Sequence, residues 1–179
     1  MIQNSLQTFA QSMNADWGPL STALVDAARG HMERLLQAAP TEEWLDDIYR
    51  TVPPNKELVR DQQHGFILLA HVEPADLYRP PHDHGRSWVI YGVAQGESEM
   101  CTYARVTDPD GIVRLVKRNT TRVRPGQVQV YLPGDIHDTR CVAGLALVYR
   151  FTERDLKKED QEHHKIARYV ERNGLWVAP

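Results

Sequence analysis

Three of the eight histidines sit in patterns that can hold a metal ion. His82-Asp83-His84 lies between Pro80-Pro81 and Gly85, just ahead of the strand-like run SWVIYGV (87–93). In an extended chain, residues two apart project to one face, so both imidazoles can grip a single ion while Asp83 points away. His137 closes a second pattern, Pro133-Gly134-Asp135-Ile136-His137, 53 positions after His84. An antiparallel barrel can bring the two strand edges face to face. Neutral imidazoles suit Fe, Zn, Cu or Ni, and three protein ligands leave coordination positions open for substrate and O2. A structural zinc site would instead be closed by four ligands.

The other reactive residues read more plainly. His71 lies in an apolar strand run and is expected to be a satisfied barrel histidine. His163 and His164 are adjacent on the expected charged C-terminal helix, so they do not share a face, and read as solvated. Cys101 and Cys141 read as small buried residues, with no base placed to activate either thiol. Asp135 shares the strand parity of His137 and could add a carboxylate ligand, as could Glu97; Asp135 reads first as a turn former. Arg86 lies beside the His-x-His turn and is expected either in solvent or at a pocket mouth.

The elements that must position these groups fall into three textures. Up to about residue 52 the chain reads as helical: Leu24, Val25, Ala28, Met32, Leu35 and Leu36 recur at helical spacing behind the caps Ser21 and Thr22. Thr41-Glu42-Glu43 looks like another helix start, and Pro53-Pro54 ends that helix. Short β-branched and aromatic runs then follow at 65–72, 87–93, 98–105, 111–117, 120–124, 127–132 and 145–151, separated by turn signals such as Asp110-Gly111 and Pro133-Gly134. That spacing predicts an all-β sandwich or barrel, and no helical segment interrupts it to suggest a parallel α/β sheet. The charged stretch from Glu153 to Gly174 predicts a C-terminal helix, and Leu175-Trp176-Val177 an apolar tail on the barrel or on a neighbouring copy in a homodimer.

Composition bounds the function. The 179 residues are 41% hydrophobic and 25% charged, as expected of one globular domain. With 21 Lys plus Arg against 24 Asp plus Glu, the net charge is −3, which argues against an electrostatic grip on nucleic acid or an anionic membrane. No apolar run approaches the ~20 residues of a membrane span. The opening MIQNSLQTFAQSMNADW has no basic start followed by an apolar stretch, and two cysteines make no disulfide scaffold, so the cytoplasm is the expected location.

From about Arg60 to Phe151 the chain resembles a cupin. The first cupin motif, G-x5-H-x-H-x3,4-E-x6-G, is matched at His82, His84 and Gly96, with Asp76 at its first glycine and Val89 at its glutamate. The second, G-x5-P-x-G-x2-H-x3-N, is matched at Gly126, Gly134 and His137, with Leu132 at its proline and Cys141 at its asparagine. The resemblance implies an all-β cupin double-stranded β-helix (jelly-roll) barrel with N-terminal helices and a C-terminal helix. It would be a single domain over 1–179, with a helical extension at 1–55, the barrel at 56–152 and the helix and tail at 153–179.

With the glutamate lost, the three-histidine set resembles the cysteine dioxygenase-like thiol dioxygenases over roughly half the chain. That likeness implies a carboxylate-holding arginine on an early strand, expected at Arg60. It also implies a Ser-x-His-x-Tyr run after the third ligand, expected at Leu145, Leu147 and Tyr149, of which only the tyrosine matches. The family's cross-linking cysteine falls at Val89. These departures count against cysteine itself as substrate. The implied function is a mononuclear non-haem Fe(II) dioxygenase that oxidises a small thiol or organic acid with O2. Its metal ligands would be His82, His84 and His137, with Arg60 and Tyr149 in the catalytic machinery. Zn, Ni, Mn or Cu are the alternative ions. A non-redox sensor or binding module, and a Lewis-acid lyase or isomerase, are the alternative uses of the same site.

Overall fold

The computed structural model describes residues 4–178. Three helices come first: α1 (Ser5–Asp16), α2 (Thr22–Leu35) and α3 (Glu43–Thr51). Asn4 opens α1 with a capping box, accepting from the Gln7 amide at 2.9 Å while its own amide donates to Gln7 Oε1 at 3.2 Å. Ser21 caps α2 as expected, its hydroxyl accepting from the Leu24 amide at 3.2 Å. Glu42 stands at the N-cap of α3 but makes no capping bond; its carboxylate accepts from Ser5 and from Trp44 Nε1, tying α3 to the start of α1.

Nine strands follow: β1 (Lys56–Arg60), β2 (Ile67–Glu73), β3 (Tyr78–His82), β4 (Val89–Thr107), β5 (Val113–Val123), β6 (Val128–Tyr131), β7 (Ile136–Thr152), β8 (Val170–Arg172) and β9 (Leu175–Val177). All pairings are antiparallel. The long strands β4 and β7 run beside each other and serve two layers. The first half of β4 and the second half of β7 join β6, β2 and β1; their other halves join β5 and β3. The result is an all-β jelly roll, a double-stranded β-helix.

The bend falls where β4 meets irregular register between Val93 and Ser98. Gly96 sits there with φ of +74°, and a Cβ on it would come within 2.8 Å of the Ala146 Cα. Only glycine admits both the left-handed backbone and that approach.

Strand alternation then makes two cores. Phe66, Leu68, Ala70, Trp88, Ile90, Leu147, Tyr149 and Phe151 face outward under the helices, against Met13, Met32 and Ile48. Val89, Tyr91, Val93, Met100, Tyr131, Cys141, Ala146 and Val148 face the barrel interior. The helices thus act as a lid on one outer face, burying apolar area that would otherwise stand in water.

Three expectations are corrected. The runs at 87–93 and 98–105 form one strand, as do those at 111–117 and 120–124, because bulges carry the ladder through. Two strands are longer or newly found: β3, and the first half of β7, whose Pro-rich or polar sequences lack an apolar alternation. The C-terminal helix is short: α4 spans only Leu156–Gln161. Beyond it the chain makes the β8–β9 hairpin, because Asn173 and Gly174 both adopt positive φ (53° and 76°), the turn chemistry of a two-residue hairpin. His163 and His164 are exposed, past the end of α4. Trp176 packs on this chain's own barrel, beside the cluster of Cys101, Tyr103, Leu115, Ile136 and Tyr169.

Candidate metal centre

The last residue of β3, His82, pairs directly with His137 near the start of β7. Opposed residues of an antiparallel pair share a face, so this register puts both rings on the interior. His84 arrives two residues later, in a loop held by Asp83. The Asp83 carboxylate points away from the rings, accepting from the Gly85 amide at 3.1 Å and the Ala167 amide at 2.8 Å. Arg86 next to it clamps the buried Glu159 of α4 through two 2.8 Å bonds, fastening the ligand loop to the C-terminal segment. Asp138, adjacent to His137, accepts from Tyr103 Oη at 2.6 Å, Tyr78 Oη at 3.0 Å and the Cys101 amide at 2.9 Å. The strand carrying the third histidine is thereby pinned.

The three imidazoles converge. One nitrogen from each lies within 4.8 Å of the others, and Nε2 of His84 and Nε2 of His137 are 3.4 Å apart. Two nitrogens on a tetrahedral ion with arms of ~2.05 Å stand about 3.3 Å apart, so the spacing fits shared ligation. His82 Nδ1 donates to the Pro80 carbonyl at 2.8 Å, which fixes the tautomer and leaves its Nε2 lone pair free. Nδ1 of His84 and of His137 are buried without a hydrogen-bond partner among the described residues. Burial, with the positive charge of Arg150 nearby, holds His84 and His137 well below the usual imidazole range, and burial lowers His82 as well. All three are therefore neutral at pH 7, the state in which imidazole ligates a cation. The donor set fits a transition-metal ion.

Around the rings, Tyr131 stacks on His137 with centroids 3.8 Å apart, and Tyr91 Oη lies 3.3 Å from His84 Nε2. Tyr91 is an interior neighbour that strand parity on SWVIYGV could have identified. His82 and His84 open on a cavity of about 580 Å³ whose wall also includes Arg79, Arg150, Leu156 and Lys157, with His137 fully buried behind them.

Several expected participants lie elsewhere. Tyr149 is buried on the outward face of β7, with its ring 5.8 Å from Trp44, so it is helix-packing core. The interior positions of that strand are Ala146, Val148 and Arg150, one residue out of step with Leu145, Leu147 and Tyr149, and Leu145 is exposed. A one-residue slip exchanges the faces of a strand. Arg60 is spent in ion pairs with Glu57 and Asp155 and does not line the histidine cavity. It borders a neighbouring depression of about 230 Å³. Neither alternative carboxylate reaches the rings: Asp135 accepts from the Leu132 amide at 2.8 Å in its turn, and Glu97 pairs with Arg124. Val89 is fully buried in the interior at the position expected for a glutamate ligand.

Asp76 keeps the left-handed backbone of the glycine it was matched to, with φ of +63°. His71 is not the satisfied histidine expected: its ring bonds the Pro54 backbone, but Nε2 has no partner. Cys141 is buried against the Glu73 and Gly144 carbonyls, away from the rings.

No protein-family model matches the sequence, and no curated protein matches it. Among solved structures, the Cnp3 cupin domain of Schizosaccharomyces pombe is similar over 60% of this chain and 64% of its own, at 14% identity and a TM-score of 0.45. An oxalate oxidase in complex with the substrate analogue glycolate is similar over 50% of this chain and 42% of its own, at 21% identity and a TM-score of 0.41. KdgF from Halomonas sp. is similar over 56% of this chain and 78% of its own, at 20% identity and a TM-score of 0.41. The first two are matched over less than two thirds of their length.

Proposed function

We propose that this protein is a mononuclear cupin-type metalloenzyme, a non-haem Fe(II) dioxygenase that oxidises a small thiol or organic acid with O2. The observation that carries the reading is the convergence of His82, His84 and His137, three neutral donors with no carboxylate among them, two of which line a cavity. When bound, the ion would supply a redox-capable centre with positions left open for substrate and O2.

The chain's own residues do the rest. The β3–β7 register and the Pro80 carbonyl orient the imidazoles before any ion arrives, so little reorganisation is needed on binding. Tyr131 and the apolar interior exclude water from the inner side of the rings. Tyr91 places a hydroxyl 3.3 Å from His84, where it can hold a proton close to the reacting groups. In such a reaction both oxygen atoms enter the product and the substrate supplies the electrons.

The test is metal analysis of protein purified without chelator or affinity nickel, then anaerobic Fe(II) loading and oxygen-electrode measurements with small thiols and organic acids. Iron near one per chain with substrate-dependent O2 uptake is the expected result. Tightly held zinc, manganese or nickel without O2 uptake would replace this reading with a Lewis-acid or non-redox binding role.

A further inference from the structure

Arg150 is a cation on the cavity wall that has no counter-charge among the described residues, although part of its polar surface is buried. It stands opposite Tyr91 in the β4–β7 ladder, on the interior face, and lines the cavity together with His82 and His84. Its Nε is buried with no hydrogen-bond partner, and the guanidinium makes no ion pair among the described residues. The nearby acids are all committed. Glu73 is bonded to Arg79 at 2.7 Å, Asp160 to Arg168 at 2.7 Å, and Asp83 to two backbone amides with Arg105 beside it, while Glu57 and Asp155, which border the neighbouring depression with Arg150, are paired with Arg60. Lys157 adds a second cation to the same wall, with no ion pair of its own among the described residues.

A buried guanidinium N–H left unpaired is costly, and such groups persist where a partner arrives from outside. The cost rises with a divalent ion alongside, because three neutral imidazoles bring no negative charge to offset it. We infer that Arg150 anchors the carboxylate of a small anionic substrate, its planar fork fixing the carboxylate while a second donor of the same molecule is left to the three-histidine centre. The inference rests on the proposed function for its second donor, but the anion site is a property of the wall itself. It narrows the substrate class from thiols and organic acids to carboxylates.

Calorimetric titration with glycolate and with its neutral isostere glycolamide, on the Zn(II)-loaded and the metal-free full chain, tests it. The wild type should bind glycolate and discriminate against glycolamide. Arg150→Gln should weaken glycolate by about 10- to 100-fold with metal content unchanged, and Arg150→Lys should recover part of the loss. Equal glycolate affinity in wild type and Arg150→Gln overturns the assignment, as does equal affinity of the wild type for the two probes or no glycolate binding at all. If Arg150→Gln fails to fold, the wild-type comparison of the two probes and the Arg150→Lys titration still decide. A wild type that retains no metal yet binds glycolate through Arg150 would sink the metalloenzyme reading and keep the anion site.

Discussion

The Nε2 atoms of His84 and His137 stand 3.4 Å apart although 53 residues separate them in the chain. Two neutral ring nitrogens that close must share either a proton or a cation. The contact depends on the β3–β7 register, in which His82 is the Cα partner of His137, and on the loop that carries His84 back over the same face.

A site of that kind couples ion binding to folding. Adding Zn(II) to the metal-free chain should stabilise it by about 2.7 kcal/mol at a free-ion concentration of about 100 times Kd. His137→Ala should abolish both this gain and metal retention. A thermal midpoint that ignores Zn(II), or full metal content in the variant, would refute the ligand set.

Arg60→Gln should leave metal content and glycolate binding unchanged, because the guanidinium is held by Glu57 and Asp155 outside the cavity. Its side chain is 40% exposed, so the loss of stability should stay within about 1 kcal/mol in urea unfolding. Loss of anion binding in this variant would return the carboxylate anchor to β1.

Gly96→Ala should destabilise the fold by about 2–4 kcal/mol, the sum of left-handed backbone strain and a clash with a neighbouring strand. The added Cβ would meet the Ala146 Cα at 2.8 Å and the Leu145 carbonyl at 2.9 Å, and neither backbone atom can swing aside. Chemical denaturation of the variant would measure it; a loss under about 1 kcal/mol would show that β4 bends without needing glycine there.

Acid should unfold the metal-free chain through its histidines. Burial pushes His71 down to about 3, so between pH 6.5 and 3 the unfolded chain binds a proton that the folded one refuses. Stability therefore rises with pH across that window and falls on acidification. Glu159, held at about 2 by Arg86, adds a loss between pH 4.5 and 2 as its carboxylate is protonated. Urea midpoints collected across this range should decline steadily, and His71→Gln should reduce the slope above pH 4.5. Constant midpoints from pH 7 to pH 4 would contradict it.

Much of the candidate centre is legible in the sequence alone. His82, His84 and His137 lie in motifs whose local backbone is set by neighbours: Pro80-Pro81 and Gly85 around the first pair, Pro133-Gly134-Asp135 before the third. Gly126 and Gly134 take the positive φ their motif positions require, and Asp76 does the same in place of a glycine. The N-terminal helices declared themselves by period and by Ser21.

Local sequence determined these features because turns, caps and the spacing of ligands depend on a few adjacent residues. Tertiary structure alone decided which face each strand residue serves and which charges find partners. Tyr149 and Arg150 are adjacent, both compatible with a strand interior, and only the pairing of β7 with β2 and β4 sends the tyrosine under the helices and the arginine into the cavity. Arg60 is held outside the cavity by Asp155, 95 residues away. Ladder register and long-range ion pairs are settled by the whole packed chain, since a shift of one residue exchanges every side chain between core and site.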